Sequence, residues 1–274
     1  MTARFLIPLA VAGVLAGATA YETEVGRWQQ ARENGLKNPN GWLTVSGLFW
    51  LHEGANPFGK DAASEIALPD GPARAGVFEL RADKVTVVQD GVRRAVAPDS
   101  PDVVRVGRLN LYVIKRGDRM GIRLKDPESQ ARREFHGLQY FPVSEAYRIE
   151  AKWVAAPRQI PILNVLGQTD ASQCPGYAVF QLDGREFKLY PILEDPQAKE
   201  LFFIFRDQTS GKETYGAGRF LYTDLPQNGH VVLDFNKAYN PPCAFTPYAT
   251  CPLPPPENRL PVRIAAGEKK YGDH

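Results

Sequence analysis

The sequence predicts an all-β body: an antiparallel sandwich or barrel of two β-rich parts, preceded by one N-terminal helix. Three observations carry this. Apolar and polar residues alternate through most of the chain, turn-forming dipeptides interrupt the alternation at four places, and 24 Gly and 23 Pro among 274 residues favour many turns over long helices.

The elements follow in order. Residues 1–20, MTARFLIPLAVAGVLAGATA, have a basic Arg4, an apolar run from Phe5 to Ala18 and an Ala-Thr-Ala ending, the pattern of a secretory signal cleaved after Ala20. In residues 21–40, Tyr21, Val25, Trp28 and Ala31 recur near helical spacing until Asn38-Pro39-Asn40-Gly41, so a helix is expected from about Glu22 to Leu36. The next stretch, GWLTVSGLFWLHEGANPFG, is rich in aromatic and β-branched residues and reads as a short strand pair anchored by Trp42, Phe49 and Trp50.

Four hairpins are then expected, about Asp90-Gly91, Arg116-Gly117-Asp118, Asp183-Gly184 and Asn228-Gly229, because Asn, Asp and Gly accept the positive φ of two-residue turns. Alternation fades between Ala155 and Cys174, which places a boundary near Ala156 and divides the body into residues 41–156 and 157–269. The last feature is NKAYNPPCAFTPYATCPLPPPENRLP, residues 236–261, where eight of the 23 prolines gather.

Charge and composition exclude several functions. Without the leader, 33 basic residues less Arg4 leave 32 against 31 acidic ones, a near-neutral balance that does not attract nucleic acid. No later stretch is long and apolar enough for a membrane span, so the mature chain is expected to be exported, periplasmic or extracellular, without a transmembrane segment.

No nucleophile elbow, zinc-protease motif, paired-cysteine motif or phosphate loop is present, and the four histidines His52, His136, His230 and His274 lack metal-ligand spacing. No metal or cofactor is therefore expected. Cys243 and Cys251 enclose seven residues, a spacing that permits a disulfide in an oxidising compartment, and Cys174 is left over; connectivity is not fixed by sequence.

The candidate ligand-binding residues fall in two places. If the strands about Asn228-Gly229 pair, Arg219 and Asn236 meet at the open end of that hairpin, with Tyr215, Asp234, Tyr239 and Asn240 beside them. The other place is ARREFHGLQYFP, where Arg133 and His136 would favour an anion. The alternative is structural: Arg219 and Asp234 as a buried ion pair, with the asparagines serving turn backbones.

Four stretches, GWLTVSGLFWLHEGANPFGKDAASEIALP, GIRLKDPESQARREFHGLQYFPVSEAYRIEAKW, LFFIFRDQTSGKETYGAGRFL and LDFNKAYNPPCAFTPYATCPLPPPENRLPVRIAAGEK, together resemble the bacterial and archaeal family known as domain of unknown function 1684. The resemblance runs from about Arg27 to Lys269. It brings no activity, and it marks Trp42, Arg123, Asp126, Phe135, Tyr215, Gly218, Arg219, Asp234, Asn236, Tyr239, Asn240, Pro242, Cys243, Cys251, Pro252, Asn258 and Gly267. Within it, NPFGKDAASEIALPDGPARAGVFEL is similar to the opening of forkhead-associated domains, with Lys60 at the arginine position and Ser64-Glu65-Ile66 for Asn-Asp-Ile. The Ser-x-x-His element of those domains is missing, so the likeness implies a sandwich strand order and not phosphopeptide binding.

The function expected from these residues is that of an exported module for a small ligand, a sugar or a carboxylate. Two alternatives stand beside it: a hydrolase using Asp234, Glu257 or His136 as acid or base, and a cell-envelope interaction module docking through its proline segment.

Overall fold

The computed structural model describes residues 18–272; of the expected signal segment, all but the last three residues lie outside them. Helix α1 (Ala20–Lys37) starts two residues before Glu22 because Thr19 caps it. Thr19 Oγ1 accepts the Glu22 N–H at 3.1 Å, and Glu22 Oε2 accepts the Thr19 N–H at 2.6 Å. This reciprocal box, worth ~1 kcal/mol, satisfies two donors that the helix leaves open. The expected cleavage point after Ala20 thus falls inside the first turn.

The first β-rich part holds β1 (Val45–Trp50), β2 (Gly54–Gly59), β3 (Ile66–Ala67), β4 (Gly76–Arg81), β5 (Lys84–Gln89), β6 (Val92–Val96), β7 (Val104–Val106), β8 (Leu109–Arg116) and β9 (Arg119–Lys125). They form two sheets, ordered β3-β2-β4-β5-β6 and β1-β9-β8-β7, antiparallel except for the short β2–β3 pairing. Phe58, Phe78 and Val87 of one sheet and Leu111, Ile122 and Leu124 of the other share one core, as in a sandwich.

The expected pairing of β1 with β2 does not occur: β1 pairs with β9 and β2 with β4. Asn56 explains the difference. Its Oδ1 accepts the His52 N–H at 3.0 Å and its Nδ2 donates to His52 O at 2.9 Å, folding the chain through a corner that sends consecutive strands to opposite sheets.

After a short helix α2 (Gln130–Arg133), the second part comprises β10 (Arg148–Leu163), β11 (Thr169–Leu182), β12 (Arg185–Leu189), β13 (Glu200–Phe205), β14 (Arg219–Asp224) and β15 (His230–Asp234). Their sheets are β12-β11-β10-β15 and β13-β14. Ala156 lies within β10, where a bulge between Ala155 and Arg158 shifts the register with β11.

Strands β13 and β14 are buried on both faces. Leu201, Phe203, Phe205 and Leu221 enter a core with Phe180, Leu233 and Ile264, while Phe202, Ile204 and Phe220 enter another with Ile160, Ile162 and Cys251. A strand covered on both sides shows an unbroken apolar run rather than alternation, which is what Leu201-Phe202-Phe203-Ile204-Phe205 displays.

Three of the expected hairpins form, closing with the pairs Gln89–Val92, Arg116–Arg119 and Leu182–Arg185. The fourth does not extend beyond its turn. Asn228 and Gly229 have positive φ, and Gln227 and His230 exchange two 2.9 Å backbone bonds across them, but the ladder stops at that pair. Strand β15 instead pairs with β10, and β14 with β13.

Candidate functional site

The missing hairpin changes the geometry of the predicted site. Phe220, and not Arg219, faces the returning chain, and it exchanges two 2.9 Å backbone bonds with Tyr239. Arg219 points the other way and is fully buried, with Nη2 donating to Ile264 O at 3.0 Å and to Asp207 Oδ1 at 3.3 Å, and Nη1 donating to Ala266 O. Its ion-pair partner is therefore Asp207.

The other polar candidates are also turned inward. Asn236 accepts the Ser144 N–H at 3.0 Å and donates to Ser144 O at 2.9 Å and to Tyr21 Oη at 2.8 Å. The Tyr21 hydroxyl donates to Asp234 Oδ1 at 2.7 Å; burial and that carboxylate push its pKa up. Asn240 donates from Nδ2 to Lys269 O at 2.8 Å, and its backbone N–H reaches Glu268 at 2.8 Å. Tyr215 donates to Cys243 O at 3.1 Å. Arg133 lies on α2 and donates to Glu128 O at 2.7 Å, and His136 is exposed just beyond it.

Of these eight residues Tyr239 borders the aromatic cavity. The cavity, about 400 Å³, opens between the outer face of the β1-β9-β8-β7 sheet and the β13-β14 pair. Trp42, Phe202, Phe220, Tyr222 and Tyr239 wall it, with Arg32, Arg116, Glu194, Thr250, Cys251, Pro242 and Pro252 around them. Phe202 stacks on Tyr222 with centroids 4.7 Å apart and planes 15° from parallel, and meets Phe220 edge to face at 4.8 Å. The Tyr222 hydroxyl donates to Glu194 Oε2 at 2.7 Å; burial, Tyr239 and this carboxylate hold its pKa up, so it stays a neutral donor.

The cations at this cavity differ in their partners. Arg32, on α1, lies over the Tyr239 ring at 4.5 Å and pairs with Glu268 at 2.9 Å. Arg116 pairs with Asp99 at 2.9 Å and donates from Nε to Thr250 Oγ1 at 2.9 Å, which joins the two β-rich parts. Arg123 stands behind Trp42, its guanidinium carbon 5.0 Å from the ring centroid. It has no acidic partner among the described residues. Its burial, followed by the nearby Arg116 charge, pushes its pKa down to about 10, which leaves it a cation at neutral pH.

A second depression, of about 470 Å³, lies by the Asn228-Gly229 turn, bordered by Asp234, Arg148, Glu150, His230 and Lys237. It lacks an aromatic wall. The acid and base candidates do not converge: Asp234 sits there, Glu257 pairs with Arg158 at 3.1 Å, and His136 is on α2's far side in the chain. Among the described residues no three His, Cys, Asp or Glu side chains group as a metal site, and no helix is long and apolar enough to cross a membrane.

The expected Cys243–Cys251 disulfide is absent, and all three cysteines are free thiols. The sulfur of Cys251 instead accepts the Cys243 backbone N–H at 3.2 Å. The loop holds its shape by packing: Pro241, Pro254 and Pro255 are buried, and Asn258 bonds Tyr190 O at 2.8 Å and Ile204 O at 2.9 Å through Nδ2.

The residues that surround the cavity were partly invisible in the sequence. Arg32 lies on what reads as the polar face of α1, and Phe202, Phe220 and Tyr222 read as strand core. Arg123 was marked by the family resemblance but not by its surroundings, because β9 is buried on both faces and shows no alternation to set it apart.

The fold and cavity define an all-β protein of two stacked β-rich parts with an aromatic, cation-flanked cleft at their junction. The chain belongs to the family described as protein of unknown function DUF1684, whose family model matches residues 133–269. It is similar, at 33% identity over 52% of its own length and 81% of the other chain, to the protein in the solution NMR structure of an uncharacterized protein from Haloarcula marismortui, with a TM-score of 0.44. No curated protein matches it.

Proposed function

We propose that the protein is an exported small-ligand-binding module whose site is the aromatic cavity at the junction of the two β-rich parts, receiving a sugar or a carboxylate. One observation carries the reading: five aromatic side chains, drawn from the segment before β1, from β13 and β14 and from the chain after β15, surround one open cleft. Stacked rings supply flat apolar surface, and the Glu194, Arg32 and Arg116 side chains at its edge supply a few orienting polar contacts, the composition of a small-molecule site.

The test is a thermal-shift screen of sugars and small carboxylates on the full chain, repeated on Tyr222→Ser. A compound that raises the melting temperature of the wild type and fails to raise that of the variant is the expected result. A screen in which every protective compound protects both proteins equally removes the cavity from consideration. Export is tested separately by sequencing the N-terminus of the secreted product, where Tyr21 is expected as the first residue.

A further inference from the structure

Arg123 is a buried cation behind the Trp42 wall of the cleft, and the described residues form no ion pair with it. The residue is 8% exposed, and neither Nε nor Nη2 has a hydrogen-bond partner among the described residues. Its position on β9 follows from register: Ile122 and Leu124 face the sandwich core, so Arg123 and Gly121 face the opposite way, toward Trp42 and Trp50. The residues across from them on β8, Tyr112 and Ile114, share that outer face, as does Arg116.

Removing a guanidinium from water is strongly unfavourable unless charge and hydrogen bonds replace the lost hydration. The Trp42 ring face replaces only part of it. Arg32 and Arg116 have Glu268 and Asp99; among the described residues Arg123 contacts neither an acid nor a carbonyl, and the repulsion from Arg116 beside it outweighs the attraction of Asp99. Trp42, Arg116 and Cys251, its immediate surroundings, all line the cavity.

We infer that Arg123 is an anion-binding residue of this cleft, engaging the oxyanion group of a ligand whose flat body lies among Trp42, Tyr222 and Tyr239. The inference rests on the cavity being the ligand site. Its uncompensated positive charge matches a carboxylate or a phosphate, and a neutral sugar would leave it uncompensated. The ligand class is therefore a small aromatic or cyclic acid.

The test uses the full chain with three probes of one shape, benzoate, phenyl phosphate and benzyl alcohol, read by calorimetry and thermal shift on the wild type, Arg123→Met and Arg123→Lys. The acids are expected to bind the wild type and the alcohol not to; Arg123→Met is expected to weaken acid binding roughly 10- to 100-fold, the loss of hydrogen bonds to a charged group. Arg123→Lys keeps the charge without the fork and falls between. The unliganded Arg123→Met protein is expected to melt no lower than the wild type, since it removes an uncompensated charge.

If benzyl alcohol binds as tightly as benzoate, or if both variants bind the acids as the wild type does, the anion role falls while the cavity reading stands. If none of the probes binds at millimolar concentration, both fall. A large drop in the melting temperature of unliganded Arg123→Met and Arg123→Lys makes the residue structural and also overturns the inference. The acid that binds more tightly distinguishes carboxylate from phosphate.

Discussion

Arg32 Nε lies 2.9 Å from Glu268 Oε1, joining the first helix to the segment that follows Gly267, and Glu268 is fully buried. The same carboxylate accepts the Asn240 N–H at 2.8 Å. Burial outweighs these contacts and raises the Glu268 pKa above its ordinary 4.5. Between 4.5 and that raised value the folded chain holds a proton that the unfolded chain releases, so this group's contribution to stability falls as pH rises through the interval and stays lost above it. Removing the cation should therefore hurt most where Glu268 is charged. Arg32→Gln is expected to cost about 3–5 kcal/mol at pH 7.5. The deficit should shrink near pH 5, as followed by urea unfolding; equal deficits at both pH values would show that the pair does not control the effect.

Arg219 and Asp207 are both fully buried and paired at 3.3 Å. Arg219→Met leaves the Asp207 carboxylate without its cation and is expected to cost about 3–5 kcal/mol. Arg219→Lys is not expected to restore stability, because a single ammonium does not span Asp207, Ile264 O and Ala266 O. Urea midpoints decide it, and a Lys variant as stable as the wild type would refute the geometric requirement.

Gly267 and Gly229 both have positive φ, at 76° and 79°, but only the first is confined. A Cβ on Gly267 would lie 2.3 Å from Ala238 O and 2.8 Å from Phe235 O, while one on Gly229 meets nothing within 4 Å. Gly229→Ala is expected to cost roughly 1 kcal/mol for the left-handed backbone alone. Gly267→Ala adds overpacking against backbone and is expected to cost roughly 2–4 kcal/mol. Thermal unfolding of the two variants measures the difference, and comparable losses would contradict the tight approach of these segments.

Cys243 is half-buried, and hydrogen bonding to Cys251 holds its thiol below the usual cysteine pKa; burial pushes Cys174 up. Iodoacetamide on the native protein is accordingly expected to label Cys243 first and to spare Cys174 until the chain is unfolded. Peptide mapping by mass spectrometry reads the order, and early labelling of Cys174 would count against its burial.

The parts of the fold that were legible in the sequence are those set by local chemistry. Asp90-Gly91 and Asp183-Gly184 adopt positive φ because few other residue pairs accept it, and the Thr19–Glu22 box fixes the helix start within one turn. Strand partners are chosen by distant surfaces. Asn228-Gly229 has the same turn chemistry, yet its flanking strands pair elsewhere, β15 with β10 and β14 with β13. The displaced pairing also explains the site: Tyr239 reached the cavity by bonding to Phe220, while Arg219 and Asn236, placed together by the expected hairpin, went to separate internal partners. Arg32 is not legible in the sequence, because a polar helix position gives no sign that it points inward.

Three side-chain contacts of helix α1 reach residues far along the chain: Tyr21 to Asp234, Glu24 to Lys237 and Arg32 to Glu268, separations of 213, 213 and 236 residues. Contacts this remote make folding slow, since the loop must close before they form. During synthesis the helix is made well before Asp234, Lys237 and Glu268, so it reaches its full set of contacts only once those residues are present. A truncation that removes Glu268 is thus felt at helix α1, more than two hundred residues away in sequence.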